Sequence, residues 1–220
     1  MWPALKYITA LAVSLPLWGI LSTASVETQR SGAAEPRTDL EELLWPEAGG
    51  ARRIDQRGAA LSPAALRDKV AVAWFVAPDC AITCVARTLD LDRVAKALPD
   101  AVRTRAVFLA ISLPDARGET GRLRAFADGT VGAGTTLRFL AGDAAWTASL
   151  AAMLRYPAAS LPEPPPQVLL FDRRGAIAMT YGGDLVDRPR LEGDIALLHS
   201  FAQGLEAPPR RATEATPHPL

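Results

Sequence analysis

Cys80 and Cys84 are the side chains of this sequence best suited to covalent chemistry, and they are its only cysteines. They follow Val70–Val76, an apolar run whose length and lack of alternation predict a strand buried on both faces. Apolar residues then recur at helical spacing over 83–98, and Asp79 is the predicted N-cap of that helix. Cys80 is therefore expected at a helix N-terminus, where the helix dipole favours a thiolate over a thiol.

The spacing of the two cysteines favours a working pair. Residues four apart share a helix face with Cβ atoms about 5–6 Å apart, whereas a disulfide needs about 3.5–4.5 Å. A disulfide between Cys80 and Cys84 is therefore expected to distort the first turn and to be easily reduced. Two sulfurs on one face can serve thiol–disulfide exchange or bind a metal ion. The alternative is a permanent structural disulfide in an exported protein.

The first 26 residues have the layout of a signal peptide or membrane anchor. Lys6 precedes an uncharged apolar stretch, and small residues at 22–25 would permit cleavage. From Tyr7 to Val26 the stretch spans 20 residues, enough for a helix to cross a bilayer, and we favour a retained anchor. Either way we expect the rest of the chain on the periplasmic side of the inner membrane, anchored there or secreted. In that oxidising space a reduced cysteine pair needs an upstream thiol reductant.

Composition divides the remainder into three parts. Residues 27–44 are predicted to be a tether, 45–206 one domain, and 207–220 a disordered Pro-rich tail. Acidic and basic residues balance at 24 each, so no basic surplus indicates nucleic-acid binding. We interpret His218 of the tail as incidental and His199 as a core or boundary residue.

Strand and helix patterns alternate through 45–206. This alternation predicts an α/β domain with a central, mostly parallel sheet flanked by helices and a hairpin at one edge. Met153 and Phe201 are expected on the buried faces of their helices. Besides the elements around the cysteines, strands are predicted at 105–113, 137–140, 167–172 and 176–181, and helices at 121–127, 144–156 and 187–205.

The pattern resembles the Sco/SenC branch of the thioredoxin superfamily over most of 45–205, which implies a thioredoxin-like fold. Cys80 and Cys84 match the family's CxxxC motif, and Pro166 precedes a strand where the superfamily carries a cis-proline beside the cysteines. The alternative for Pro166 is a rigid Pro-rich connection. The other matching segments are 55–58 with 66–70 before the first core strand, 110–115 for the Ser-Val-Asp-Pro segment, 139–143 for the Leu-Thr-Gly turn, and 169–175 for the last hairpin.

Two departures from the family pattern bear on chemistry. Ala81 and Val85 follow the cysteines, where the family usually has proline. The copper-binding members also have a histidine ligand shortly before the last hairpin, whereas the corresponding 161–167 offers only prolines, Glu163 and Gln167 as candidates. Two thiolates and an imidazole suit Cu(I), so the resemblance leaves copper without its third ligand here.

The resemblance implies a role in assembling the copper site of cytochrome c oxidase. We expect Cys80 and Cys84 to reduce a disulfide in subunit II of that oxidase or in another exported thiol protein. Cys80 is the predicted nucleophile because of its helix-end position, and Cys84 is expected to resolve the mixed disulfide. Two alternatives remain open: a Cu(I) chaperone with both cysteines as metal ligands, and a redox-inert docking module.

Overall fold

The strand before the cysteines, β3 (Val70–Val76), lies at the centre of the fold. In the computed structural model, which describes residues 38–46, 52–114, 122–155 and 163–201, every residue of β3 is buried. It pairs in parallel with β4 (Ala106–Ser112) and antiparallel with β6 (Gln167–Phe171). Its unbroken apolar sequence follows from this position, because both of its faces are covered.

The described residues contain four further strands, β1 (Arg53–Asp55), β2 (Ala60–Leu61), β5 (Arg138–Ala141) and β7 (Ile177–Gly182). Together the seven described strands form one mixed sheet in the order β2-β1-β5-β4-β3-β6-β7. Parallel pairing is confined to the three central strands β5, β4 and β3, and the two strands on either side pair antiparallel with their neighbours. The predicted hairpin β6–β7 forms one edge, and a second short hairpin, β1–β2, forms the other.

Helices cover both faces of the sheet, as the α/β prediction requires. Alternate residues of β3 point to opposite faces, with Trp74 in one core cluster and Phe75 in the other. On the Trp74 face lie α2 (Ile82–Ala97), α3 (Asp100–Arg103), α4 (Arg122–Val131) and α6 (Arg188–Ser200), and on the Phe75 face lie α1 (Asp39–Leu44) and α5 (Ala144–Met153).

Helix α1 lies within 27–44, the stretch predicted to be a tether, and it is part of the domain. Thr38 caps it, and Leu40 and Leu44 are buried against the sheet. The Leu40 amide donates to the carbonyl of Gly175, at 3.0 Å. Gly175 has a φ of +76° and approaches so closely that a Cβ there would lie 2.7 Å from Thr38 Oγ1. A short helix with only two core residues carries too weak a periodicity to be recognised in the sequence.

Two apolar residues expected in the core are exposed. Met153 is 61% exposed and Phe201 is 47% exposed, so both predictions were wrong. Met153 is the last residue of α5 and Phe201 is the C-cap of α6, so both lie at helix ends. His199 is half-buried near the end of α6, in agreement with its interpretation as a boundary residue.

Several predictions fall on residues outside the described ranges. They are the signal peptide or anchor at 1–26, most of the tether, the tail at 207–220 and His218. Within 38–46, 52–114, 122–155 and 163–201, no helix combines the length and apolarity needed to span a bilayer.

Candidate functional site

Cys80 and Cys84 form a disulfide directly after the carboxyl end of β3, with Cα atoms 5.8 Å apart. The N-cap of α2 is Ala81, so Cys80 precedes the helix and only Cys84 lies in its first turn. The amides of Cys84 and Val85 donate to the Ala81 carbonyl at 3.1 and 3.3 Å. The disulfide thus joins a residue outside the helix to one inside it, and the predicted distortion of the first turn on oxidation stays a prediction.

Asp79 is not the N-cap that the sequence predicted. Its carboxylate forms an ion pair with Arg122 at the start of α4. Ala81 takes the N-cap position, and it has no side-chain oxygen with which to accept a hydrogen bond.

The two sulfur-bearing residues differ in accessibility. Cys84 is 1% exposed and belongs to the core cluster of the Trp74 face, whereas Cys80 is partly exposed and packs against that cluster. The exposed Ile82 lies between them in the sequence. An incoming thiol or disulfide can therefore reach Cys80 while Cys84 stays covered.

A buried hydrogen-bond chain fixes the backbone of Cys84 to the central strand. The indole N–H of Trp74 donates to Thr88 Oγ1 at 3.3 Å, and the Thr88 hydroxyl donates to the Cys84 carbonyl at 3.0 Å. Because both donors are satisfied inside the core, this chain ties α2 to β3 at the level of the buried cysteine. Thr88 was not among the residues predicted from the sequence to matter for the site.

The carboxylate of Glu163 binds the segment between the cysteines. Its Oε2 accepts the Ala81 amide at 2.9 Å, and its Oε1 accepts the Thr83 hydroxyl. Glu163 thus binds the N-cap residue of α2 and a side chain of its first turn. Glu163, a candidate together with Gln167 in place of the missing histidine, therefore contacts the segment between the two cysteines.

Pro166 lies between two residues that are held beside the cysteine motif. On one side Glu163 binds Ala81, and on the other Val168 pairs with Trp74 of β3. Pro166 is exposed, and its carbonyl accepts the Gly183 amide at 3.1 Å. Pro166 directly precedes β6, and its role as the superfamily's cis-proline stays a prediction.

Arg87 is a buried residue of α2, about one helical turn after Cys84. It is 1% exposed, and none of its three guanidinium nitrogens has a hydrogen-bond partner among the described residues. Burial lowers the pKa of Arg87, and the negative charges of Glu163 and Asp184 oppose that effect. The signal in the sequence was its spacing, since Cys84, Arg87 and Leu91 follow one another at the three- and four-residue steps of one helix face.

The donor set for a metal ion at this site consists of the two sulfurs. In the part of the chain that the structure describes, no three His, Cys, Asp or Glu side chains are grouped to hold a metal. Helix α6 begins at the cysteine end of the sheet, because β7 ends beside the start of β6. His199 is 11 residues further along α6 than Arg188, about 16 Å at the helical rise per residue. His199 therefore lies near the end of α6 that is remote from the cysteines.

No protein-family model and no curated protein matches the chain. Solved structures do match. A proposed thioredoxin from Neisseria meningitidis is 21% identical, with a TM-score of 0.50 over 70% of this chain and 90% of that chain. The fold is thioredoxin-like.

Two Sco proteins share this fold. ScoI from Bradyrhizobium japonicum, solved with copper bound, is 17% identical, with a TM-score of 0.51 over 68% of this chain and 98% of that chain. BsSco, a member of the Sco family of cytochrome c oxidase assembly proteins with a disulfide switch, is also 17% identical, with a TM-score of 0.53 over 69% and 92%. At these identities the likeness supports the fold, which confirms the thioredoxin-like α/β domain that the resemblance predicted.

Proposed function

We propose that this protein is an exported Sco/SenC-type thiol–disulfide reductant that acts in assembly of the copper site of cytochrome c oxidase. The observation that carries the proposal is the disulfide between a partly exposed Cys80 and a buried Cys84 at the carboxyl end of the central strand. The fold shared with two Sco proteins supports the same conclusion.

The proposed reaction transfers two electrons from the reduced pair to a disulfide of the partner. The Cys80 thiolate attacks one partner sulfur, the partner's S–S bond breaks, and the second partner sulfur leaves as a thiolate that takes up a proton. Cys84, as a thiolate, then attacks Cys80 Sγ and releases the first partner sulfur, which is protonated in turn. At the end of the reaction the partner has two thiols and the protein has the Cys80–Cys84 disulfide.

The proposed reaction needs an electron donor and a client protein. An upstream dithiol returns the pair to its reduced form, because the exported compartment favours disulfides. Subunit II of the oxidase is the proposed client, and the apolar 7–26 would keep the domain near the membrane in which the client lies.

The second candidate function is Cu(I) transfer, favoured by the copper bound to ScoI. Copper would be the cargo, and Cys80 and Cys84 would supply two soft ligands. Glu163, the carboxylate that contacts the segment between the cysteines, is a hard oxygen ligand, and its two oxygens already accept hydrogen bonds from Ala81 and Thr83. This donor set does not fit a site of two thiolates and an imidazole, so we rank thiol reduction first.

The test uses the reduced full-length chain in detergent, mixed without oxygen with the oxidised soluble domain of subunit II. We expect two client thiols to appear for each pair of protein thiols lost, and none with the Cys80→Ser/Cys84→Ser variant.

A competition titration of the reduced protein and of the same variant against a Cu(I) chelator tests the second candidate function. Tight one-to-one copper binding that the variant lacks, without thiol transfer, would establish the copper carrier instead. Restored oxidase activity in a deletion strain that carries the variant would establish a docking module.

A further inference from the structure

We infer that Glu163 is a positioning residue of the cysteine pair and favours its disulfide form by holding the segment between Cys80 and Cys84. The inference rests on the proposed dithiol chemistry and adds a determinant of how strongly the pair donates electrons. It assigns a role to a side chain that is distant from the cysteines in sequence and adjacent to them in space.

The first argument is the geometry of the hydrogen bonds. Glu163 accepts from the Ala81 amide at 2.9 Å and from the Thr83 hydroxyl. These donors lie one residue after Cys80 and one residue before Cys84, so a single carboxylate holds the loop at both ends. We call this pair of hydrogen bonds the Glu163 clamp. Hydrogen bonds to an ionised acceptor are about twice as strong as neutral ones.

The second argument is the buried cation beneath the clamp. Arg87 is 1% exposed, has no hydrogen-bond partner among the described residues, and interacts electrostatically with Glu163 and Asp184. A buried cation without hydrogen bonds needs nearby negative charge. Arg87 therefore attracts the Glu163 carboxylate towards the position where it accepts both hydrogen bonds.

The third argument is thermodynamic linkage. The covalent bond restricts the segment 80–84 to a geometry in which both donors reach Glu163. Reduction removes the restriction, and the clamp alone must then order the segment. The disulfide thus favours the clamp, and the clamp must favour the disulfide to the same extent, since coupling between two equilibria is reciprocal.

The other charges at this end of the sheet provide the matched controls. Asp79 forms an ion pair with Arg122. It precedes Cys80 in the sequence, whereas the two donors of the clamp follow Cys80. The negative charge of Asp184 raises the pKa of Arg87, as that of Glu163 does. Among the described residues, Asp184 accepts no hydrogen bond from the segment between the cysteines. Asp184→Asn therefore changes the charge around Arg87 and leaves both clamp hydrogen bonds in place.

The experiment measures the equilibrium of the full-length chain with reduced and oxidised glutathione at pH 7. For Glu163→Gln we expect a shift toward the dithiol on the order of tenfold, which for a two-electron couple is about 30 mV less negative. Thr83→Val removes one donor from the opposite side of the clamp and should shift the equilibrium in the same direction by a smaller factor. Asp184→Asn should stay within about twofold of the wild type, which is about 10 mV.

The outcomes separate this inference from the proposed function. A wild-type equilibrium in both Glu163→Gln and Thr83→Val would overturn the inference, and so would an equal shift in Asp184→Asn. If Glu163→Gln fails to fold, Thr83→Val decides the matter alone. A shift in the clamp variants, together with failure of the wild type to reduce any client, would support the inference and reject the proposed reductant.

Discussion

Two buried arginines of the described residues, Arg53 and Arg87, are accommodated in opposite ways. Arg53, in β1, is 2% exposed; its Nε donates to the Leu44 carbonyl at 2.6 Å and its guanidinium pairs with Asp143 at 3.3 Å. The guanidinium also lies over the Trp146 ring, 4.0 Å from its centroid. Arg87, in α2, is as deeply buried but has no hydrogen-bond partner in the described residues.

The difference indicates what each region of the molecule does. The Arg53 region joins α1, α5 and the sheet edge through satisfied polar groups, so it is built for stability. The Arg87 region keeps a buried charge without hydrogen bonds beside the cysteine pair. Such an arrangement costs stability, and sites of chemistry are where proteins accept that cost.

The largest expected effect comes from Arg53→Met, which keeps the length of the side chain and removes its charge. The Leu44 carbonyl loses its donor, and the interactions with Asp143 and Trp146 are lost. We expect the free energy of unfolding to fall by about 3 kcal/mol, measured by urea denaturation. The glutathione equilibrium should not change, and a change in it would mean that the two regions are coupled.

Asp55→Asn tests the same region through pH. Burial alone would raise the pKa of Asp55, but hydrogen bonds from the Ala59 and Arg57 amides and the charge of Arg138 hold it below its ordinary 3.8. The depressed pKa means that the carboxylate stabilises the fold fully above pH 3.8, and that this contribution disappears as the pH falls through the folded-state pKa.

We therefore expect Asp55→Asn to lose about 2 kcal/mol at pH 7 and to differ less from the wild type at pH 3. Urea denaturation at the two pH values measures the difference. Equal losses at both would show that the ionised form of Asp55 contributes nothing beyond its hydrogen bonds.

Thr88→Val is the corresponding change in the cysteine region. It keeps the shape of the side chain but leaves the Trp74 indole N–H without an acceptor, at a cost of about 1 kcal/mol in the free energy of unfolding. Chemical denaturation of the disulfide form checks this value. Ser at the same position restores the hydroxyl, and its failure to recover most of the loss would exclude the hydrogen-bond chain as the cause.

Arg87→Met should have the smallest effect on stability and sharpens the comparison most. Replacing a buried charge that lacks hydrogen bonds with an apolar side chain of similar length is expected to be neutral, or stabilising by about 1 kcal/mol. Thermal denaturation of Arg87→Met and Arg53→Met under the same conditions compares their stabilities directly. A loss as large as that of Arg53→Met would remove the distinction between the two regions.

Much of the fold could be predicted because its signals are local. The unbroken apolar run at 70–76 predicted β3, and the alternation of strand and helix patterns predicted the α/β domain with the β6–β7 hairpin at one edge. Helix α1 was missed because its six residues place only two in the core.

The site was predicted only as far as its cysteines. The role of Glu163 depends on a contact 82 residues away in sequence, and that of Asp79 on an ion pair with Arg122, 43 residues away. Local rules favour Asp79 as a cap, and tertiary pairing overrides them. Arg87 was missed because arginine on a helix usually faces solvent, and its burial became visible only once α2 was placed on the sheet.

The central claim, that Cys80 attacks and Cys84 resolves, is tested most directly by trapping. Full-length Cys84→Ser and Cys80→Ser, both reduced, are each mixed with the oxidised soluble domain of subunit II, and the mixed disulfide is measured by mass spectrometry. We expect Cys84→Ser to accumulate a one-to-one mixed disulfide through Cys80, and Cys80→Ser to give little. Accumulation only in Cys80→Ser would reverse the two roles, and accumulation in neither would contradict dithiol chemistry on this client.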